Sequence, residues 1–500
     1  MILPYRFWCQ KVLPTIYDDS LSYYEVLNKM GIKLNEVINA VNSYSGGGGN
    51  VNNIFHCVAD MQVAPDIKKG MILFTTGYYT DGDCGACVYV AYDEEVDFSI
   101  EMVNGLYAVP VASDIITPEM FGAKGDYQDA NHVGTDDTLA IETAIAYAAA
   151  RKAKIVLNHR YFTTNGIEIP SSCSGIEIQG NSGNNYFNGF YGVGSAVVKQ
   201  YAQHILYRNM AISCASTSTG GNGLTIGLHI LTSVDDHMTF LDGVQFRYLN
   251  IGVKMYGNSV EVNDCHFSMC NYGVYVENAG FDSNKTPYYS SYEFKSLTIY
   301  GTRFHGCPCC VYVDKTIPAE SWANGVTIAS CYGDKCGVIY EGTCYNVHFS
   351  ANCFTKSRSS GSSADLGMII LEGWTNADNP SQPPTVNPSA RCNSSFLANN
   401  FINGATLASG GGVIYIKDST RVINISGNTF YSGGGDNFVV GVNTGSVNII
   451  NNTCLSNGIS FDADSSVITI DGNIATSNSL QTISADNPAN RIGTNIGFAE

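Results

Sequence analysis

Charge is scarce in this chain. Of its 500 residues 14% are charged, where about 25% is usual for soluble domains. Basic groups are the scarcer: 26 Lys and Arg stand against 44 Asp and Glu, a net charge of −18. So acidic a surface excludes nucleic acid as a partner. Long apolar runs are missing too, since no stretch approaches the roughly 20 residues that cross a bilayer. The first residues, MILPYRFWCQKVLPTIY, are interrupted by Pro4, Arg6, Gln10, Lys11 and Pro14 and lack the apolar segment of a secretory signal. Neither membrane insertion nor export by that route is expected. Strong helix formers are outnumbered by Gly (52), Tyr (31), Asn and Ser, which disfavours a helical bundle. The 44% hydrophobic content suffices for a core and excludes disorder.

Cysteine is plentiful, but its 17 copies are odd in number and irregularly spaced. In a chain without a signal they read as free thiols used as small hydrophobes. Cys84-Gly-Ala-Cys87 is a lone CxxC with no second pair at zinc spacing, so turn or core cysteine is expected there, with no metal site and no cofactor.

Residues 18–43 carry a helical pattern with Asp18, Asp19 and Ser20 as caps. Tyr23, Leu27, Met30, Leu34, Val37 and Val41 follow the 4-3 spacing of a heptad seam. A short coiled coil within an N-terminal segment, 1–45, is expected. Gly46 to Gly49 lie in a flexible linker, 46–53, and 54–115 alternate in short β runs separated by Gly/Asp turns, a small β module. A second amphipathic helix is expected at 136–150, with Asp136 or Asp137 at its cap and Leu139, Ile141, Ala144, Ile145 and Ala148 inward.

From the strand Lys154-Ile-Val-Leu157 to about residue 475, within a domain expected over 116–475, the chain is a degenerate repeat. One strand type recurs as Gly252-Val-Lys-Met-Tyr256, Gly273-Val-Tyr-Val-Glu277, Cys310-Val-Tyr-Val-Asp314, Gly337-Val-Ile-Tyr-Glu341, Gly367-Met-Ile-Ile-Leu371 and Gly412-Val-Ile-Tyr-Ile416. A second ends in Asn and a core-sized residue: Asn263-Asp-Cys-His-Phe267, Asn352-Cys-Phe354, Asn400-Phe401, Gly427-Asn-Thr-Phe430 and Asn451-Asn-Thr-Cys454. Such short alternating strands with Asn or Gly bends describe the stacked coils of an all-β solenoid, a parallel β-helix. Cysteines are expected in inward slots otherwise filled by Phe. The 136–150 helix would cover the open first rung, and 476–500 would be a C-terminal tail.

Ile116-Thr-Pro-Glu-Met-Phe-Gly-Ala-Lys-Gly-Asp126, then Thr135-Asp-Asp-Thr138, the Ala-rich helix, Ile155-Val-Leu157, Tyr161 and Ile176-Glu-Ile-Gln-Gly180 resemble the beginning of the pectate-lyase-like, single-stranded right-handed β-helix of phage tailspikes. The match departs from the family's Gly-Asp-Gly–Thr-Asp-Asp run at Tyr127 to Gly134, a longer connection. Gly70 to Ala91 resembles the small β module that often precedes that start in virion proteins, and Tyr5 to Tyr24 the N-terminal segment of phage tail proteins. The resemblance implies a homotrimeric tail appendage on the virion, made in the host cytoplasm. Its N-terminal segment would seat on a tail or baseplate protein and its β-helix would face the host surface glycan, frequently as a depolymerase. No catalytic residues carry across, because no Asn-Thr-Asp, Asp-Asp and Gly-His-Gly set of the polygalacturonase kind occurs in order.

Aligning the first strand type puts Glu277, Asp314 and Glu341 at one outward register on three successive coils, with Tyr275, Tyr312 and Ile339 two residues earlier. A vertical carboxylate ladder is expected, its members about 5 Å or 9 to 10 Å apart, near the spacings of retaining and inverting glycosidases. Mutual repulsion would raise one pKa toward general-acid range. The loops leaving these strands carry Tyr288, Tyr289, Tyr292, Phe294, Trp322 and Trp374 beside Glu372. Flat rings beside acids suit sugars. Strand-end acids can equally be solvated turn residues, or hold a calcium ion with backbone carbonyls. Asp235-Asp236-His237, and Glu261 with His348, are the secondary candidates.

Three function classes follow: a tailspike that binds and cleaves host polysaccharide by hydrolysis or lyase chemistry, a tail fibre or spike that binds without cleaving, and a secreted polysaccharide lyase or hydrolase. The Tyr5–Tyr24 segment and the absent signal disfavour the third.

Overall fold

The computed structural model describes residues 53–111, 114–181, 188–215, 225–231, 238–256, 259–277, 293–294, 296–313, 322–323, 325–342, 346–356, 366–372, 393–404, 407, 411–417, 422–432, 437–455, 460–475, 481–484, 491–496 and 498–499. The expected coiled coil and the N-terminal 1–45 segment lie outside them. The chain divides at Val111/Ala112.

The first unit is a five-stranded sheet in the order Ile54–Phe55, Ile72–Thr75, Cys87–Tyr92, Tyr107–Pro110, Ile100–Glu101, with a short helix at Val58–Gln62. Asp83 organises its main turn, accepting hydrogen bonds from the N–H groups of Tyr78, Tyr79, Thr80 and Gly85 at 2.7–3.0 Å. Burial opposes the charge, but the four donors together hold the carboxyl below its usual range. Cys84 sits in that turn at φ 70° and Cys87 is buried in a strand, neither in a disulfide.

The second unit is a parallel β-helix. Each coil visits three faces in turn, as Lys154–Leu157, Arg160–Thr163 and Ile167–Ile169 do in the first coil, and every strand pairs in parallel with its counterpart one coil on. On the second face, a twelve-stranded sheet, one inward column runs Phe246, Phe267, Phe304, Gly333, Phe354, Phe401, Phe430, Cys454, Ala475. The five residues expected to stack, Phe267, Phe354, Phe401, Phe430 and Cys454, are all 0% exposed. Phe rings meet at 4.8 Å (246–267), 5.1 Å (267–304) and 5.6 Å (401–430). Gly333 breaks the column because a Cβ there would lie 2.5 Å from the Phe354 ring.

The corner before this column carries most of the buried polar bonding. The residue two before each position of that column from Phe267 on is Cys265, Thr302, Cys331, Asn352, Asn399, Asn428, Asn452 or Asn473 on successive coils. Cys265 Sγ donates to Leu241 O at 3.6 Å, Thr302 Oγ1 to Val262 O at 3.3 Å, and Asn352 Nδ2 to Ile328 O at 2.8 Å, each carbonyl belonging to the preceding coil. The Asn members also bond one another: the amide of Asn399 donates to Asn428 Oδ1 at 2.9 Å, Asn428 to Asn452 and Asn452 to Asn473 at 3.0 Å each. The residue before each corner group is left-handed, as at Asp264, Ala351, Ala398 and Asn451 (φ 50–55°).

Two expectations change here. The left-handed bends expected to hold Asn or Gly do so at Gly301, Gly427, Asn451 and Gly472, but Asp264, Ala351 and Ala398 take them on other coils. Cysteine fills a Phe slot at Cys454, whereas Cys265, Cys331, Cys270, Cys307 and Cys336 occupy corners. There Cys270, Cys307 and Cys336 donate to the carbonyls of Phe246, Phe267 and Phe304 at 3.6–3.7 Å.

The expected tail, 476–500, is further coil where it is described. Gln481–Ser484 pairs with Ser460–Asp462, Arg491–Ile492 with Thr469–Ile470, and Asn495 Oδ1 accepts from Asn473 at 2.9 Å. Lacking an inward Phe, these coils lost the marker that identified the others.

At the opposite end the helix Thr138–Arg151 packs on the first coil, burying Ile141, Ala144, Ile145, Tyr147 and Ala148. Leu139, expected inward, is 78% exposed, because it lies on the first turn beyond the covered face. Ile115–Ile116 pairs with the outer edge of Lys154–Leu157. The two candidate capping acids divide their work. Asp136 accepts from Thr138 N–H at 3.2 Å and from the Thr138 hydroxyl at 2.6 Å. Asp137 makes no capping bond and instead takes the N–H groups of Lys124 (2.7 Å) and Gly125 (3.0 Å).

Burial raises Asp137 to about 6, against the pull of those two donors. An acid whose pKa is higher folded than unfolded binds its proton more tightly when folded, so its contribution to stability falls as pH rises from about 4 to about 6. Thermal melts of the wild type and Asp137→Asn across pH 4–7 are expected to differ by a component with this slope. Parallel curves would contradict the assignment.

Candidate functional site

Outward residues of the third face form columns set by strand register. Lys199, His229, Lys254, Tyr275, Tyr312, Glu341, Ile370 and Tyr415 are paired in sequence along one column. In its middle the rings of Tyr275 and Tyr312 stack at 4.9 Å, and Tyr272 meets both edge-on at 5.5 and 5.6 Å. Lys254 Nζ lies 5.9 Å from the Tyr275 ring centroid and 2.9 Å from Glu277 Oε2. Burial is the main cause that raises the Tyr272 phenol, and Glu341 is the register neighbour of Tyr312. On the flank away from Lys254, Cys309, Val338, Ile370 and Tyr415 form a buried apolar cluster against Tyr272, Tyr312 and Leu366.

Glu341 does not stand in the column of the expected carboxylate ladder. Glu277 and Glu341 do lie on coils two apart, but Glu341 pairs with Tyr312, two residues short of position 314. Gly337 caused the misalignment: it occupies the corner, where a Cβ would lie 2.2 Å from Pro308 O, rather than the start of the strand. Two rungs of about 4.8 Å and two residues of about 3.3 Å separate Glu277 and Glu341 by about 12 Å between Cα atoms. Glu277 is moreover drawn toward the preceding coil by Lys254. That geometry does not match the paired-carboxylate spacings. The arrangement is instead a stack of tyrosine rings, Tyr275 on Tyr312 with Tyr272 edge-on to both, with an acid at one end and an ion pair at the other.

Of the other sequence candidates, Asp314, Tyr288, Tyr289, Tyr292, Trp374 and Asp235-Asp236-His237 lie outside the described residues. Trp322–Ala323 pairs in parallel with Glu293–Phe294, so the two loops leaving adjacent coils of this face join. The Glu372 backbone pairs with Lys417. Glu261 and His348 share one outward column of the first face but stand three coils apart, with Thr298 and Thr327 between them; His348 Nδ1 instead meets Ser395 Oγ. Lys254 and Tyr272 were overlooked. Lys254 could have been found from the alternation of Gly252-Val-Lys-Met-Tyr256, which puts it outward one coil before Tyr275.

No family profile matches this chain, and no curated protein is significantly similar to it. Solved structures do share its fold. A tailspike of an Acinetobacter phage is similar over 88% of this chain and 73% of its own, with 14% identity and a TM-score of 0.52. A full-length tailspike of an Escherichia coli bacteriophage aligns with 91% of this chain at 15% identity and a TM-score of 0.45, and this chain spans 57% of its length. An Acinetobacter baumannii bacteriophage tailspike described as a capsular polysaccharide depolymerase aligns at 10% identity and a TM-score of 0.47. The fold is therefore the parallel β-helix found in phage tailspikes. Among the described residues no helix is long and apolar enough to cross a membrane.

Proposed function

We propose that this chain is a virion tail appendage, a tailspike, that grips host cell-surface polysaccharide on the third face of its β-helix and cleaves it. The observation that carries this is the Tyr272, Tyr275 and Tyr312 platform between Lys254 and Glu341. The ring edges and phenol hydroxyls of tyrosines repeated along a rigid sheet suit successive sugar units, and Glu341 beside them is the group for proton transfer to a glycosidic oxygen. The heptad seam at 20–43 supports a homotrimer, with the N-terminal segment seated on a tail or baseplate protein.

The test uses surface polysaccharide purified from the bacterium that produces the protein. Tyr312→Ala is expected to weaken retention about 10-fold or more, as truncation of a central aromatic anchor does. Glu341→Gln is expected to keep retention and lower the release of new reducing ends by about 10²-fold or more. Unchanged retention by Tyr312→Ala would overturn the assignment of the platform.

A further inference from the structure

Although the chain is strongly acidic overall, one patch of the second face is basic. Its residues flank the inward Phe column on four successive coils: Arg247 beside Phe246, His266 beside Phe267, Arg303 and His305 either side of Phe304, and Tyr332 and Asp334 either side of Gly333. Register places His266, Arg303 and Tyr332 in one outward column and Arg247, Ser268, His305 and Asp334 in the next. The Arg303 guanidinium lies over the Tyr332 ring at 5.6 Å and makes no ion pair among the described residues. Arg247 lies over Tyr248 at 5.4 Å. His305 Nδ1 is 3.2 Å from Asp334 Oδ2, the one acid of the patch, and His266 Nε2 is buried with no hydrogen-bond partner.

We propose that this patch binds the carboxylate of an acidic sugar. Two planar guanidinium forks within a few coils of one another match a carboxylate better than a point charge. Tyr332, 44% exposed, offers a ring edge to the sugar. The convergence of the cations shows independently in His266, which burial and then the charges of Arg303, Arg247 and His305 hold down to about 4. This site lies on a different face from Tyr275 and Tyr312, so it stands or falls separately from the platform.

The probe is a glucuronate-containing oligosaccharide, compared with the same oligosaccharide after reduction of its carboxylates to alcohols. The acidic form is expected to bind the full-length protein at least about 10-fold more tightly, with affinity falling as salt rises. Arg303→Gln and Arg247→Gln should each remove most of that difference, Arg303→Lys should remove part of it, and Tyr312→Ala should leave it intact. Equal binding of the two forms, no binding of either, or full binding by Arg303→Gln and Arg247→Gln proteins that melt at the wild-type temperature would overturn the proposal. So would complete displacement of the acidic form by inorganic phosphate at equal concentration, which would mark a free-anion site.

Discussion

Phe267→Ala is expected to lower the stability of the β-helix by about 3–5 kcal/mol, the range for deleting a buried ring whose site cannot collapse. Collapse is prevented on both sides. Phe246 and Phe304 stack on Phe267 at 4.8 and 5.1 Å, and their own positions are fixed by parallel pairing to the coils beyond. Gly252 also approaches the Phe267 ring so closely that a Cβ would sit 2.7 Å from it. Equilibrium denaturation of the two proteins gives the difference. Phe401→Ala should behave similarly, since Phe354 and Phe430 flank it in the same column. A denaturation midpoint equal to that of the wild type would show that the column is not the core.

Asn428→Asp is expected to cost about 2–6 kcal/mol at neutral pH without changing the side chain's shape. The amide of Asn428 donates to Phe396 O at 2.8 Å and to Asn452 Oδ1 at 3.0 Å. A carboxylate donates to neither: Phe396 O loses this donor at about 1–3 kcal/mol, and Asn452 Oδ1, though it keeps the Asn428 backbone N–H at 2.9 Å, is left facing another acceptor oxygen. It also buries a charge where Asn428 is 1% exposed. Protonation restores one donor, so part of the loss should be recovered as the solution is acidified, which pH-dependent melts would reveal. Replacement of an exposed amide such as Asn448, which meets Asn424 on the outer surface, should cost far less. Equal losses at the two positions would contradict a ladder that works by burial.

The Phe column was legible in the sequence because most coils repeat a large apolar residue just after one corner, whereas the corner amides beside it were read only as bends. The solenoid follows from that period alone, and the cap from its helical pattern. Register on the third face was not legible. Glycine was taken as the first residue of each strand, but Gly337 serves the corner, and a two-residue slip preserves alternation while moving Glu341 from the Asp314 position to the Tyr312 column. Alternation reports which side of the sheet a residue faces and says nothing about which neighbour it meets. The basic patch escaped for a different reason. Its residues flank the Phe markers and were passed over in favour of them, although Arg or His beside the inward residue on three coils running was there to be seen.

The most direct measurement is to incubate the folded protein with surface polysaccharide from the bacterium that produces it, following retention, chain length by size exclusion, and the appearance of reducing ends or unsaturated-uronate absorbance. The account predicts that the polysaccharide is retained and shortened, and that Tyr312→Ala loses both effects while its melting temperature holds. Polysaccharide that is neither retained nor shortened by a fully folded protein would contradict it.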